Sequence, residues 1–119
     1  VLNIVSVTTV MNGNQYRLGL ISSCTVTYSD PATLTIHSNP VVDFLPSETL
    51  YACGGIPLTL NGNPTGGSGT YTAHRWTGDI GPLSNYFIPT PVFNSRISST
   101  YNLNYRVTDS NNCVAMATL

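Results

Sequence analysis

Three cysteines, two histidines and five carboxylates are the side chains with chemistry to offer, and their spacing limits what that chemistry could be. Cys24, Cys53 and Cys113 stand far apart, and no Cys-x-x-Cys occurs. His37 and His74 fall at no ligand spacing, so the sequence does not outline a zinc site. A catalytic nucleophile needs a base and a group to orient that base. Serines and threonines abound, but neither histidine has an acid near it in sequence, and Asp30, Asp43, Glu48, Asp79 and Asp109 are scattered singly in turns. The pattern argues against an enzyme and names no cofactor. Calcium wants clustered oxygens, and around Asp79 or Asp109 these are sparse. Asp109, in "VTDSNN", suits an Asx turn at a strand end. "GNPTGGSG" (62–69) is glycine-rich but lacks the Gly-Lys-Ser/Thr ending of a phosphate loop, and it fits a hairpin loop.

The elements that must position these residues are strands. "YNLNYRV" alternates strictly, with Tyr101, Leu103, Tyr105 and Val107 on one face. "IPLTL" sets Ile56, Leu58 and Leu60 on one face, and "YTAHRW" does the same for Thr72, His74 and Trp76. "LNIVSV", "QYRLGLI" and "ATLTI" supply three more apolar runs. Turn signals such as "MNGN", "SDP", "TGDIGP" and "TDSNN" separate them, and no window has helical spacing. The expectation is an all-β, antiparallel, immunoglobulin-like β-sandwich.

Only 8% of residues are charged, all four basic residues are arginine, and formal net charge is −1. About 25% charged is usual. A nucleic-acid partner would need a basic stripe, and there is none. No apolar run nears the roughly 20 residues of a membrane-spanning helix, so membrane insertion is not expected. With no signal-peptide pattern at its head, the chain is expected to be an internal piece of something longer.

The chain also repeats itself. "YRLGLISSC" (16–24) is echoed by "YRVTDSNNC" (105–113), and each is followed by Ala-Thr-Leu, at 32–34 and 117–119. Tyr to Tyr is 105 − 16 = 89 residues, and Cys to Cys is 113 − 24 = 89. The interval is the size of one small β-domain. Residues 1–38 are then the closing strands of one domain, and 39–119 a nearly complete second. Burying even one of the apolar side chains of residues 1–38 is worth roughly 1.5–3 kcal/mol, so something outside that segment is expected to cover them.

"VSVTTVMNGNQYRLGLISSC…SDPATLTI" resembles the end of immunoglobulin-like repeats in very large proteins of the Bacteroidota. "ACGGIPLTLNGNPTGGSGTYTAHRWTGDI…TYNLNYRVTDSNNC" resembles their PKD-like repeats, with Asn112 where a glycine is usual. The resemblance implies a repeat array in a giant adhesin or gliding-related protein exported by the type 9 secretion pathway, at the cell surface. Such modules act as spacers and display units. The partners implied are neighbouring repeats of the same protein.

Cys53 precedes one strand and Cys113 follows another, and in an antiparallel sandwich the two could sit at one end and pair. Such a bridge would close a loop of about 60 residues and stabilise by roughly 4 kcal/mol. Cys24 would then find its partner outside the chain. Trp76 is expected in the core and His74 packed beside it, with His37 exposed. Two rival readings accompany the spacer. A carbohydrate-binding accessory module of a secreted enzyme would present aromatics to surface glycans, with Tyr71, Tyr86 and Phe87 as candidates. A filament subunit would have its sheet completed by a further copy.

Overall fold

The computed structural model describes residues 3–44 and 47–119. The chain divides into two compact units, Val1–Ile36 and His37–Leu119. Among the described residues there is no α-helix, and every strand pairing is antiparallel.

Unit 2, His37–Leu119, is built on its longest alternating run. The order along the chain is β5 (Pro40–Val42), β6 (Leu58–Thr59), β7 (Pro64–Gly66), β8 (Tyr71–Gly78), β9 (Val92–Phe93), β10 (Leu103–Asp109) and β11 (Val114–Thr118). β10 is the middle strand of a three-stranded sheet in the order β11-β10-β8. Its period-two pattern survives intact: Leu103, Tyr105, Val107 and Asp109 are buried, and Asn104, Arg106 and Thr108 are not. Two short ladders, β5-β7 and β6-β9, complete the unit, and β5 packs on β10 and β11. The core is Phe44, Leu60, Trp76, Phe93, Leu103, Tyr105 and Val107. Its centre is aromatic, with the Trp76 and Tyr105 rings 4.7 Å apart and Phe44 5.7 Å from Trp76. The indole N–H of Trp76 is satisfied by the Ile88 carbonyl at 2.9 Å, as a buried tryptophan requires.

One strand departs from simple alternation. Thr108 faces Ala73 but Asp109 faces Tyr71, so Thr72 is an extra residue in β8. This bulge turns Thr72 outward and brings Tyr71 to the core side, where its ring meets His74 edge-on. Thr72 was expected on the Trp76 face; a bulge inverts which residues face inward. In "IPLTL", Ile56 is exposed while Leu60 is fully buried. "GNPTGGSG" is a loop only in part, since Pro64–Gly66 pairs with β5 and Gly67–Gly69 makes the turn into β8.

Unit 1, Val1–Ile36, is thinner. A 3-10 turn at Thr9–Met11 precedes β1 (Gln15–Tyr16), β2 (Gly19–Ile21), β3 (Val26–Tyr28) and β4 (Ala32–Thr33). The strand expected in "LNIVSV" is not formed over residues 3–7, and Leu2 lies outside the described residues. "QYRLGLI" splits in two. Gln15–Tyr16 pairs with β4, whereas Gly19–Ile21 pairs with Val26–Tyr28, a strand the sequence pattern did not flag. The Ser22–Thr25 turn joins β2 and β3 through a 2.9 Å backbone bond and a 2.9 Å hydroxyl pair.

The echo has a structural counterpart. Tyr16 pairs with Ala32 and Gln15 with Thr33; Tyr105 pairs with Ala117 and Asn104 with Thr118. The Leu34 N–H donates to the Asn14 carbonyl at 2.8 Å, and the Leu119 N–H to the Leu103 carbonyl at 2.8 Å. These are equivalent positions in both arms: 14 + 89 = 103 in the first, and Leu34 and Leu119 each end the Ala-Thr-Leu run of the second. Cys24 and Cys113 each lie in the segment joining the two arms. The extra residues of the first copy are taken up between the arms, where pairing shifts by one residue from Tyr16↔Ala32 to Gly19↔Tyr28.

Candidate functional site

Three groups of side chains in unit 2 are organised enough to consider. The first surrounds Asp109, at the end of β10. The chain turns back there, and the Asp109 carboxylate ties the turn together. Its Oδ1 accepts the N–H groups of Asn111 at 2.9 Å and Cys113 at 2.8 Å, and its Oδ2 accepts that of Ser68 at 2.9 Å. The Asx turn is thus present, with a link to a distant loop added. Gly67 explains the glycine run. Its φ is +60°, and a Cβ there would stand 2.6 Å from Asp109 Oδ2. Asn112 takes φ +63°, the left-handed conformation that asparagine tolerates best after glycine. The Asp109 carboxyl is subject to opposing effects. Desolvation on burial pushes it up, but the N–H groups of Ser68, Cys113 and Asn111 and the charge of His37 outweigh this and hold it below the ordinary value. His37 is exposed, and its Nδ1 lies 3.1 Å from Asn111 Nδ2. Sequence distance hid this neighbourhood of 37, 68 and 109–113. The chemistry is that of a structural latch: three backbone N–H donors converge on one buried carboxylate. Asp79 likewise accepts a backbone N–H, its Oδ2 taking that of Asn102 at 2.8 Å.

The second group is His74, Tyr105 and Tyr71. His74 Nδ1 and Tyr105 Oη are hydrogen-bonded, and their rings are nearly parallel, with centroids 6.0 Å apart. Burial lowers the His74 pKa, favouring the neutral ring. Burial pushes Tyr105 up to about 12, helped by electrostatic repulsion between its ionised form and Tyr71. Tyr71 donates its hydroxyl to the Gly66 carbonyl at 3.1 Å. A neutral histidine held by a neutral phenol is a packed core pair rather than an activated base. Tyr71, expected as a ligand-facing aromatic, is brought beside this pair by the bulge and is half-buried there.

The third group is Tyr86 and Phe87, which remain on the surface, 39% and 55% exposed. Their ring centroids are 4.3 Å apart at 47°, and the Arg75 guanidinium lies 6.0 Å from the Phe87 ring. The backbone N–H of Trp76 donates to the Tyr86 carbonyl at 2.8 Å, which ties this pair to β8. At one end of unit 2 a groove of about 380 Å³ runs between residues 48–54 and 95–102, floored by Leu103 and Leu119. Ser95 Oγ and Tyr101 Oη meet there at 2.7 Å.

No family, curated protein or solved structure matches this chain.

The cysteines are not brought together. All three are free thiols, Cys24 and Cys53 exposed and Cys113 half-buried. The Cys53 carbonyl accepts the Ile56 N–H, and the Gly55 N–H reaches Ser95, so this turn lies at the Leu103–Leu119 end with the groove. Cys113 is held by Asp109 at the opposite end of β10. Six residues of strand between Leu103 and Asp109 amount to about 20 Å, whereas a disulfide needs Cα atoms within about 7 Å. The expected Cys53–Cys113 bridge is therefore not formed. The spacing argument failed because it placed a pre-strand turn and a post-strand turn at the same end. The chain from Cys53 instead travels toward Tyr105, beneath which Gly62 lies.

Among the described residues no three His, Cys, Asp or Glu side chains gather to hold a metal ion.

Proposed function

We propose that the chain is a structural repeat module of an extracellular, cell-surface array, acting as spacer and display unit rather than as an enzyme. One observation carries the reading: two tandem segments use the same hairpin, with Tyr opposite Ala and a Leu N–H bonded across it at the same place. Repetition of a structural unit with no shared pair of reactive groups is what an extending module needs. The finer architecture belongs to the same proposal. Unit 2 is an immunoglobulin-like or PKD-like β-sandwich, its β8-β10-β11 sheet facing β9 with Phe93 and the segments just after β5 and β6 that carry Phe44 and Leu60. The sparse charge and hydroxyl-rich surface fit an extracellular setting, and the motif resemblance to Bacteroidota repeats supports the cell-surface assignment.

The test is mechanical. Tandem copies of the 119-residue chain, stretched singly, should show one unfolding event per copy. The contour gain should match the whole of residues 37–119 at roughly 3.4 Å per residue, since no disulfide shortens it. Unfolding without a distinct force event would overturn the spacer reading.

A sugar-binding reading has one observation in its favour, the exposed Tyr86–Phe87 pair beside Arg75. A glycan array separates the two readings. Selective binding lost in Phe87→Ala would favour the sugar module. No selective signal is expected from a spacer.

A further inference from the structure

Among the described residues of unit 1 none is buried. Val5, Val10, Leu18, Leu20, Ile21 and Val26 are each at least half exposed. Isolated exposed apolar residues are ordinary, but these are crowded into one short unit. Unit 2 identifies what is missing. With the 89-residue offset, Tyr16 corresponds to Tyr105 and Leu18 to Val107. In unit 2 those two are fully buried, and their strand is paired on both edges, by β11 and by β8. β8 faces Leu103–Asp109 along its length and brings Trp76 against Tyr105. Among the described residues β1 and β2 of unit 1 each have one partner strand, β4 and β3 respectively. The offset also places Ile4 on Phe93, a core residue of unit 2. Residues 1–36 therefore match the last part of unit 2, and what they lack is the equivalent of residues 37–89.

We infer that residues 1–36 are the docking half of an incomplete domain, closed by a β body with the chemistry of residues 37–89, whose aromatic-bearing strand pairs along Gln15–Ile21. The body comes from the N-terminal side, as in unit 2, where it precedes the hairpin at the same spacing. A second copy of this chain is the poorer occupant, because its β8 is already paired with its own β10. The inference rests on the repeat reading above.

The experiment is a gain of structure. Residues 37–89 are duplicated and fused directly ahead of Val1, leaving the 119-residue chain intact behind them. Residue-resolved hydrogen exchange is then compared between the fusion and the chain alone. Protection of the 15–21 amides should rise by at least about a hundredfold in the fusion, as for strands in a folded domain. Amides of β10 report in the same spectrum that unit 2 is unchanged. A second fusion carrying Trp→Asp at the duplicated position 76 should lose the gain. Unchanged exchange at 15–21 in the first fusion would overturn the inference. So would equal protection in the chain alone, appearing with dimerisation as concentration rises, which would assign the surface to a second copy. Failure here leaves the stretching result untouched, so it is distinguishable from failure of the spacer reading.

Discussion

The hairpin Gln15–Thr33 and the hairpin Leu103–Thr118 share a register at their open ends but not a surrounding. In unit 2 the strand lies between two others and its apolar face is sealed by Trp76, Phe44 and Leu60. In unit 1 the matching Leu18 is 64% exposed. Cross-strand register is thus specified locally, by turn position and residue pairing, whereas stability is not. Burial decides whether a correctly paired hairpin is part of a core or a surface. Isolated two-stranded pieces are marginal in water, so nearly all the chain's stability should reside in residues 37–119.

The sharpest way to break the comparison is to remove the seal. Trp76→Ala should cost about 3–5 kcal/mol, a large share of the stability of a small domain. Urea unfolding should then lose its cooperative transition. Retention of a midpoint close to that of the parent would mean that Trp76 is not the centre of the core.

Matched truncations come next. Val107→Ala should lower stability by about 2 kcal/mol. Its counterpart Leu18→Ala should stay within about 0.5 kcal/mol. Equal effects at the two sites would show unit 1 to be as well packed as unit 2. Gly62→Ala belongs on the costly side, because a Cβ there would overlap the Tyr105 ring. About 1–3 kcal/mol is the expected loss.

Acid should act on unit 2 in two separate windows. His74 is held neutral by burial, so the unfolded chain binds its proton more readily. Stability should fall as pH drops below the ordinary value of 6.5, and this loss should be complete below the depressed folded value. Asp109 is held ionised below its ordinary value of 3.8. Its contribution is full above that value and is lost as pH falls through the folded value. His74→Gln should abolish the upper step alone, and Asp109→Asn the lower one alone. A single step common to both variants would contradict the assignment. The smallest energetic effect is expected from thiol chemistry. The native chain should present three titratable thiols, with Cys113 the slowest because it is half-buried. A count of one would restore the Cys53–Cys113 bridge.

Period two made β10 legible in the sequence down to single residues, and the same logic placed Trp76 and His74. Alternation is a backbone property, so it can be read without knowing the neighbours. The bulge at Thr72 could not be read, because it depends on how Asp109 meets Tyr71 across the sheet. The Asp109 latch was half legible: the Asx turn is local, while Ser68 and His37 arrive only through topology. The disulfide expectation failed for the same reason, since which end of a sheet a cysteine reaches is set by the path of the chain. β3 was missed because the "SSC" that follows β2 resembles a strand end rather than a tight turn.

The central claim is that one hairpin is used twice, sealed in unit 2 and unsealed in unit 1. Residue-resolved amide exchange on the 119-residue chain tests it directly. The account predicts the strongest protection in Leu103–Asp109 and near-unprotected exchange in Gln15–Ile21. Comparable protection in the two segments would contradict it.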